Sequence, residues 1–342
     1  MSGESPITLS VGTHTWFPSD ETKLQSIISI MRTHSISILD TARLYGGGAS
    51  ELAIGSLHLG PEFSVDTKAP TGFASGFADK IEESAEQSLA ALQTQRVWPT
   101  SPVLASGFWV SDISSQVRTY LLHGADETVS FEKQMEAIQK LYEKGSFERF
   151  GISNFSREQI LSIYNIAKSK GYVLPSVFQT SYSLAARHHE TELFPMLRKL
   201  GFSIQAYSPM AGGFLAKTPE YIEQGLGSWN PDTRTGQFSR GLFYKPSYMK
   251  MLGEFGTLSE KSGISRAGLA YRWVRHHSGL KSDSGDEMII GASTSDQLAD
   301  TMKELEGGPL EPWIVQRIDE LWELVKEEEA VDNLKNTRKV FG

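Results

Sequence analysis

Asp40-Thr-Ala-Arg-Leu-Tyr45-Gly-Gly-Gly-Ala-Ser-Glu51 decides how the rest of the chain is read. The apolar run Ile36 to Leu39 before it has the length and composition of a buried strand. Leu52 to Leu57 after it reads as a helix opened by the Ser50-Glu51 turn. An acid thus closes a strand, and a tyrosine follows on the glycine-rich loop into a helix. In a barrel of parallel strands that loop is where chemistry sits. Taken alone, the stretch reads first as an ordinary turn with a capping Asp and a half-buried Tyr. Gly46 to Gly48 lack the Gly-Lys-Ser/Thr ending of a phosphate loop and read as a turn.

Outward from this stretch, strands and helices alternate. Strands are predicted at Ile7–Gly12, Ile36–Asp40, Phe63–Lys68, Arg118–His123, Phe150–Asn154, Val177–Thr180, Phe202–Ser208 and Glu287–Gly291. Helices are predicted at Lys23–Arg32, Phe77–Leu92, Phe131–Lys144, Arg157–Lys170, Thr191–Leu200, Leu252–Ser262, Arg266–His276 and Ser295–Leu305. The pattern predicts an α/β fold, a (β/α)8 TIM barrel. Pro312–Glu329 adds a C-terminal helix, and residues 216–247, rich in Gly, Pro, Ser and Asn, form a long loop after the seventh strand. An open doubly wound sheet is the rival, but no Gly-x-Gly-x-x-Gly follows the first strand. One domain over 1–342 is expected.

The 342 residues are 39% hydrophobic and 22% charged, a globular composition. A net charge of −8 without a basic cluster argues against nucleic acid or an anionic membrane as partner. No cysteine is present, which removes disulfides, thiolate chemistry and Cys-ligated metals, and no metal site is expected. The N-terminus lacks a signal pattern and no apolar run is long enough to span a membrane, so a cytoplasmic protein is expected.

Asp40, Lys68 and His123 each close a predicted strand, with Tyr45 just beyond one. Singly they are a cap, a solvated lysine and a structural histidine. Together at strand ends they suit one reaction. A phenol with an ordinary pKa near 10 is a weak acid, which a nearby ammonium strengthens. A carboxylate keeps that ammonium charged, and a histidine orients a carbonyl. Such a site protonates an oxygen while hydride reaches carbon. No side chain supplies hydride, so a nicotinamide must.

Asp40-Thr-Ala-x-x-Tyr45 with Gly48-x-Ser-Glu51, Thr67-Lys68-Ala, Leu122-His123, Gly151-Ile-Ser-Asn-Phe155 and Ala206-Tyr-Ser-Pro-Met-Ala-Gly-Gly213 resemble the aldo-keto reductase superfamily. Glu192-Leu-Phe-Pro-x-Leu-Arg198, Ile290 to Gln297 and Glu306-Gly-Gly-Pro-Leu-Glu-Pro312 resemble its aflatoxin-aldehyde reductase branch. The resemblance implies NADPH without a Rossmann motif and a small carbonyl substrate. It implies Tyr45 as general acid, Lys68 and Asp40 tuning it, and His123 orienting the substrate. Ser153, Asn154 and Gln179 resemble a carboxamide-binding trio, and Tyr207 an aromatic stacked on nicotinamide. Ser208, Ala211, Gly213 and Lys217 lie along the pyrophosphate segment. Gly291, Ser293, Gln297 and Thr301 lie along the adenosine-phosphate segment. Trp16 and Arg240 resemble substrate contacts, and the branch makes a homodimer the expectation. A cofactor-binding regulatory subunit, like those of potassium channels, is the alternative function.

Four departures stand out. No Lys or Arg lies between 291 and 301, which weakens the preference for NADPH over NADH. The family's Leu-Thr-Gly-Lys is altered before Lys217, and Leu242 stands where the branch has a second substrate-loop arginine. Residues 97–116, Val97 to Gln116, also interrupt the connection between the third helix and fourth strand. The segment is in frame, and its terminal codons can carry the GT and AG of a splice boundary. A retained intron and a genuine insertion on the barrel's bottom face are the two readings.

Overall fold

The computed structural model describes residues 6–73, 76–93, 117–329 and 333–341. Segment 97–116 lies outside the described residues. The strands are β1 (Thr8–Gly12), β2 (Ile38–Asp40), β3 (Ser64–Ala69), β4 (Val117–Leu122), β5 (Phe147–Ser153), β6 (Pro175–Ser181), β7 (Ser203–Tyr207) and β8 (Glu287–Gly291). They follow one another in sequence order around a closed barrel, the expected architecture.

The helices before β6 are α1 (Glu21–Thr33), α2 (Ala49–Ser56), α3 (Ile81–Ala91), α4 (Phe131–Glu143) and α5 (Arg157–Lys170). Then come α6 (His189–Glu192), α7 (Phe194–Lys199), α8 (Pro219–Glu223), α9 (Arg234–Phe243), α10 (Pro246–Ser262) and α11 (Arg266–His276). The last are α12 (Ser295–Leu305), α13 (Pro312–Glu323) and α14 (Asn333–Phe341). Among the described residues no helix is long and apolar enough to cross a membrane.

Local sequence explains most elements. Helix α1 buries Leu24, Ile27, Ile28 and Met31, one stripe at helical spacing. Helix α11 starts where the Ser265 hydroxyl accepts the Gly268 N–H at 2.9 Å. The predicted helix 191–200 is instead two, α6 and α7, because Pro195 in the first turn of α7 has no N–H to carry a helix through.

The chain divides into two compact units, Gly12–Gly151 with Glu158–Pro175, and Met1–Val11 with Ile152–Arg157 and Ser176–Gly342. In the first, Asp40 is level with Asp66, and Lys68 with Leu121. Asp40 and Lys68 therefore both reach the C-terminal end of their parallel strands, where β4 runs into His123. In the second, Gln179 is level with Gln205, and Gln205 with Glu287. Their side chains form a buried polar rung: Gln179 Nε2 donates to Gln205 Oε1 at 2.9 Å, and Gln205 Nε2 to Glu287 Oε2 at 3.2 Å.

The expected loop 216–247 is largely helical. Thr218 caps α8 through the Tyr221 N–H, and Thr233 caps α9 through the Gly236 N–H at 3.0 Å. Phe243 stacks on Phe214 with ring centroids 5.0 Å apart. The glycines that suggested a loop serve close packing. A Cβ on Gly236 would lie 1.8 Å from the Asn230 carbonyl oxygen, and one on Gly241 2.8 Å from Asn336 Oδ1 in α14. Gly236→Ala is therefore expected to destabilise the protein by about 1–3 kcal/mol, since backbone must move to admit one methyl. The melting temperature checks this, and an unchanged value would refute the close packing.

Candidate active site

The first unit carries Asp40, Tyr45, Lys68 and His123. Lys68 is 0% exposed, and its ammonium donates three hydrogen bonds: to Asp40 Oδ1 at 2.7 Å, Asp40 Oδ2 at 2.8 Å and the Thr41 carbonyl at 2.7 Å. Two of these contacts go to one carboxylate, and the ammonium also acts on the Tyr45 phenol as a hydrogen-bond donor. Burial alone would pull the Lys68 pKa down. The charges of Asp40, Tyr45 and Asp66 and the bond to Asp40 outweigh it, and the net shift is upward. Lys68 is a fixed cation in a dry site.

That cation lies 5.2 Å from the centroid of the Tyr45 ring. Tyr45 is half-buried as a residue, with its phenol at the enclosed end. Burial raises the phenol's pKa, Lys68 lowers it and Asp40 raises it, and the net shift is upward. The sequence suggested a phenol made more acidic by its ammonium. The ammonium acts in that direction, but desolvation of the phenolate is the larger effect. Tyr45 is thus firmly protonated at neutral pH.

His123 meets Tyr45 edge-on at 5.9 Å between centroids and Phe73 at 4.7 Å. Its pKa is held well below 6.5 by burial, then by the charges of Lys68 and His14. A neutral imidazole can donate one N–H to a carbonyl oxygen without bringing a charge.

A supporting layer holds Tyr45 in place. Glu51 is 0% exposed; its carboxylate accepts the Thr67 hydroxyl at 2.6 Å and Arg43 Nη1 at 2.8 Å. Thr67 neighbours Lys68, and Arg43 stands two residues before Tyr45. Gly48 takes φ +97°, and a Cβ there would lie 2.5 Å from Arg43 Nη1, so the loop closes over the guanidinium. Glu51 belongs to the opening stretch, yet spacing could not pair it with Arg43 and Thr67. His14 was likewise missed: it lies in a loop and meets Tyr45 edge-on at 4.9 Å.

The second unit carries most of the expected cofactor positions. Asn154 Nδ2 donates to Ser153 Oγ at 2.9 Å, and the Tyr207 hydroxyl to Asn154 Oδ1 at 3.0 Å. Ser153, Asn154 and Tyr207 therefore come together, while the Gln179 amide N–H is engaged by Gln205. Asn154, Ser208 and Ala211 take left-handed backbone at φ +59°, +57° and +50°. Strain of this kind concentrates at ligand-binding loops. No described atom lies within 4 Å of a Cβ built on Gly212, Gly213 or Gly291, so these backbones face open space.

Other expected positions have structural uses here. Gln297 completes the cap of α12, its side chain accepting the Ser293 N–H at 2.9 Å and its own N–H reaching Thr294 Oγ1 at 3.2 Å. Thr301 is on the buried face of α12 and bonds the Gln297 carbonyl at 2.8 Å, so its hydroxyl is not presented outward. Lys217 lies 4.5 Å from the Tyr221 ring centroid. Arg240 donates to the Ile222 carbonyl at 2.8 Å and stacks on Tyr244 at 3.6 Å. Trp16 is 0% exposed, because the turn from Thr13 folds it into the core. It offers a substrate no surface here; its neighbour Phe17 is 42% exposed.

A family model, the aldo/keto reductase family, matches residues 114–323. The chain belongs to the aldo/keto reductase family. It is an oxidoreductase. Oxidoreductase sirO of Leptosphaeria maculans is 37% identical over 302 residues, covering 88% of this chain and 86% of that one. Aflatoxin B1 aldehyde reductase member 2 of Rattus norvegicus is 32% identical over 305 residues, covering 85% and 77%. The family fold is also seen in an aldo/keto reductase from Klebsiella pneumoniae, crystallised with NADP and acetate. It superimposes with a TM-score of 0.61 at 20% identity over 92% of this chain and 91% of that one.

Proposed function

We propose that the protein reduces an aldehyde or ketone to the alcohol with NADPH, Tyr45 giving the proton. The observation that carries this is the buried, Asp40-paired Lys68 ammonium beside an enclosed phenol. Aldehyde reduction is also the activity named for the rat relative. The chain's own groups fit a nicotinamide dinucleotide. Ser153 and Asn154 offer hydroxyl and amide groups to a carboxamide, and Tyr207 an aromatic face. The turn from Ser208 to Gly213, left-handed at Ser208, Ala211, Gly212 and Gly213, and the positive end of the α12 dipole suit phosphates. When bound, the cofactor supplies the hydride.

Tyr45 holds its proton against water and releases it only to a strong base. An alkoxide is such a base, and the developing phenolate faces the Lys68 cation in a dry site, where that attraction is greatest. Neutral His123 donates an N–H to the same oxygen and fixes its direction. We place the enzyme in the cytoplasm, with a homodimer as its working state.

Steady-state NADPH oxidation with a panel of aromatic and short-chain aldehydes tests the proposal. Tight cofactor binding without turnover of any aldehyde would favour the regulatory-subunit alternative. The pH dependence follows from the two shifted groups. His123 is already neutral at neutral pH, and its lowered value moves its protonation further down. Tyr45 is the acid, and its raised value moves its ionisation further up. Reduction should therefore show no acid limb at 6.5 and should fall only above pH 10. Alcohol oxidation needs the phenolate and should rise with pH across that interval. A kcat/KM profile for reduction that breaks near 6.5 would count against a neutral His123.

A further inference from the structure

Each reduction with Tyr45 as donor leaves a phenolate that must regain a proton from water. Lys68 touches the phenol but is wholly buried and held by Asp40 and Thr41, so it cannot itself draw a proton from water. His123 is enclosed as well, with Nδ1 buried and the ring held between Tyr45 and Phe73. His14 is different. It is exposed, two residues beyond β1, and its ring meets Tyr45 edge-on at 4.9 Å. Among the described residues no hydrogen bond ties down its ring nitrogens.

We propose that His14 returns a proton from water to the Tyr45 phenolate after each reduction. This rests on Tyr45 being the donor. In the first step the Tyr45 O–H bond breaks and the alkoxide oxygen takes the proton, forming the alcohol. In the second, a ring N–H of His14 breaks and its proton passes through one bridging water to the phenolate oxygen, since no hydrogen bond joins the two side chains directly. The other ring nitrogen accepts a proton from water or a buffer acid, and exchange with solvent resets the tautomer. No electrons change hands in the second step, and the proton taken up is the one that reduction consumes overall.

The surroundings suit a relay better than a store. The groups that face His14 are Tyr45 on its loop, Lys68 of β3 and His123 after β4, with Asp40 of β2 behind Lys68. His14 is exposed as a residue, but its ring is partly enclosed against Tyr45; that partial burial and then the Lys68 charge lower its pKa, so the ring does not add a second cation to the site. A neutral imidazole that can give from one nitrogen and take at the other passes protons without holding them.

The test is stopped-flow kinetics with the fastest aldehyde of the panel, following NADPH absorbance and a pH-indicator dye together. In the wild-type protein proton uptake should keep pace with NADPH oxidation. In His14→Phe, which keeps a ring against Tyr45, the first turnover should run at the wild-type rate while proton uptake slows ~10²-fold. In His14→Ala, added imidazole should restore uptake. Uptake unchanged in His14→Phe overturns the proposal. So does an equal slowing of the first turnover and of uptake, which marks a residue that only positions Tyr45. Full turnover by Tyr45→Phe would instead overturn the donor assignment beneath it, so the two failures are read from different variants.

Discussion

Tyr45→Phe is expected to lower kcat ~10²–10⁴-fold, the range for loss of a positioned general acid. The ring contacts survive the change: His14 and His123 still meet an aromatic edge, and Lys68 still lies over a ring. Folding stability should therefore move little. Cofactor affinity should hold, because Ser153, Asn154 and Tyr207 are untouched. Fluorescence titration with NADPH and steady-state turnover on the same preparation separate the effects. A variant that binds cofactor and turns over at the original rate would remove Tyr45 from the mechanism. A variant that loses binding and turnover together would place Tyr45 in the cofactor site.

Asp40→Asn is expected to damage both stability and catalysis. Lys68 has a raised pKa in the folded state, so its contribution to stability is fully present below its ordinary value of 10.5. It fades only as pH rises through the higher folded value. At neutral pH all of it is therefore at stake. Removing the carboxylate takes away the main opposition to burial, and the Lys68 pKa falls. Breaking a buried pair from one side costs about 3–5 kcal/mol. Catalysis suffers separately, because a lysine driven neutral no longer stabilises the Tyr45 phenolate. The double variant Asp40→Asn with Lys68→Met distinguishes the two losses. It should recover most of the melting temperature, since no charge is left buried, and none of the turnover. Recovery of turnover would mean that the ammonium is dispensable.

The strands were legible as short runs alternating with helical stretches, and three of them end in a chemically distinctive residue. Asp40, Lys68 and His123 could be grouped before any coordinates, since parallel strands bring their C-terminal ends together. What escaped was long-range. Helix α9 looked like a loop because Gly236 and Gly241 count as breakers locally, whereas each answers a neighbour, Asn230 and Asn336. Arg43, Glu51 and Thr67 form one network across a loop, a helix and a strand, and no spacing rule joins them. The balance of forces on Tyr45 was only half readable. The sequence offers the lysine that lowers its pKa, but only the fold shows how much burial opposes it. The likeness at Gln297 and Thr301 carried position without orientation, and both turn their groups toward their own helix.

The amide rung of Gln179, Gln205 and Glu287 has a consequence for how the chain avoids misassembly. Side chains alternate faces along a strand, so sliding β7 by one residue would turn Gln205 away from both partners. The buried Gln179 amide and Glu287 carboxylate would then each lose their bond to Gln205, at about 0.5–1.5 kcal/mol for each. Apolar side chains such as Ile204 and Ala206 would tolerate many neighbours. The rung tolerates one, so it acts as a proofreading mark for the β6–β7–β8 register and penalises near-native sheets that hydrophobic contact alone would accept.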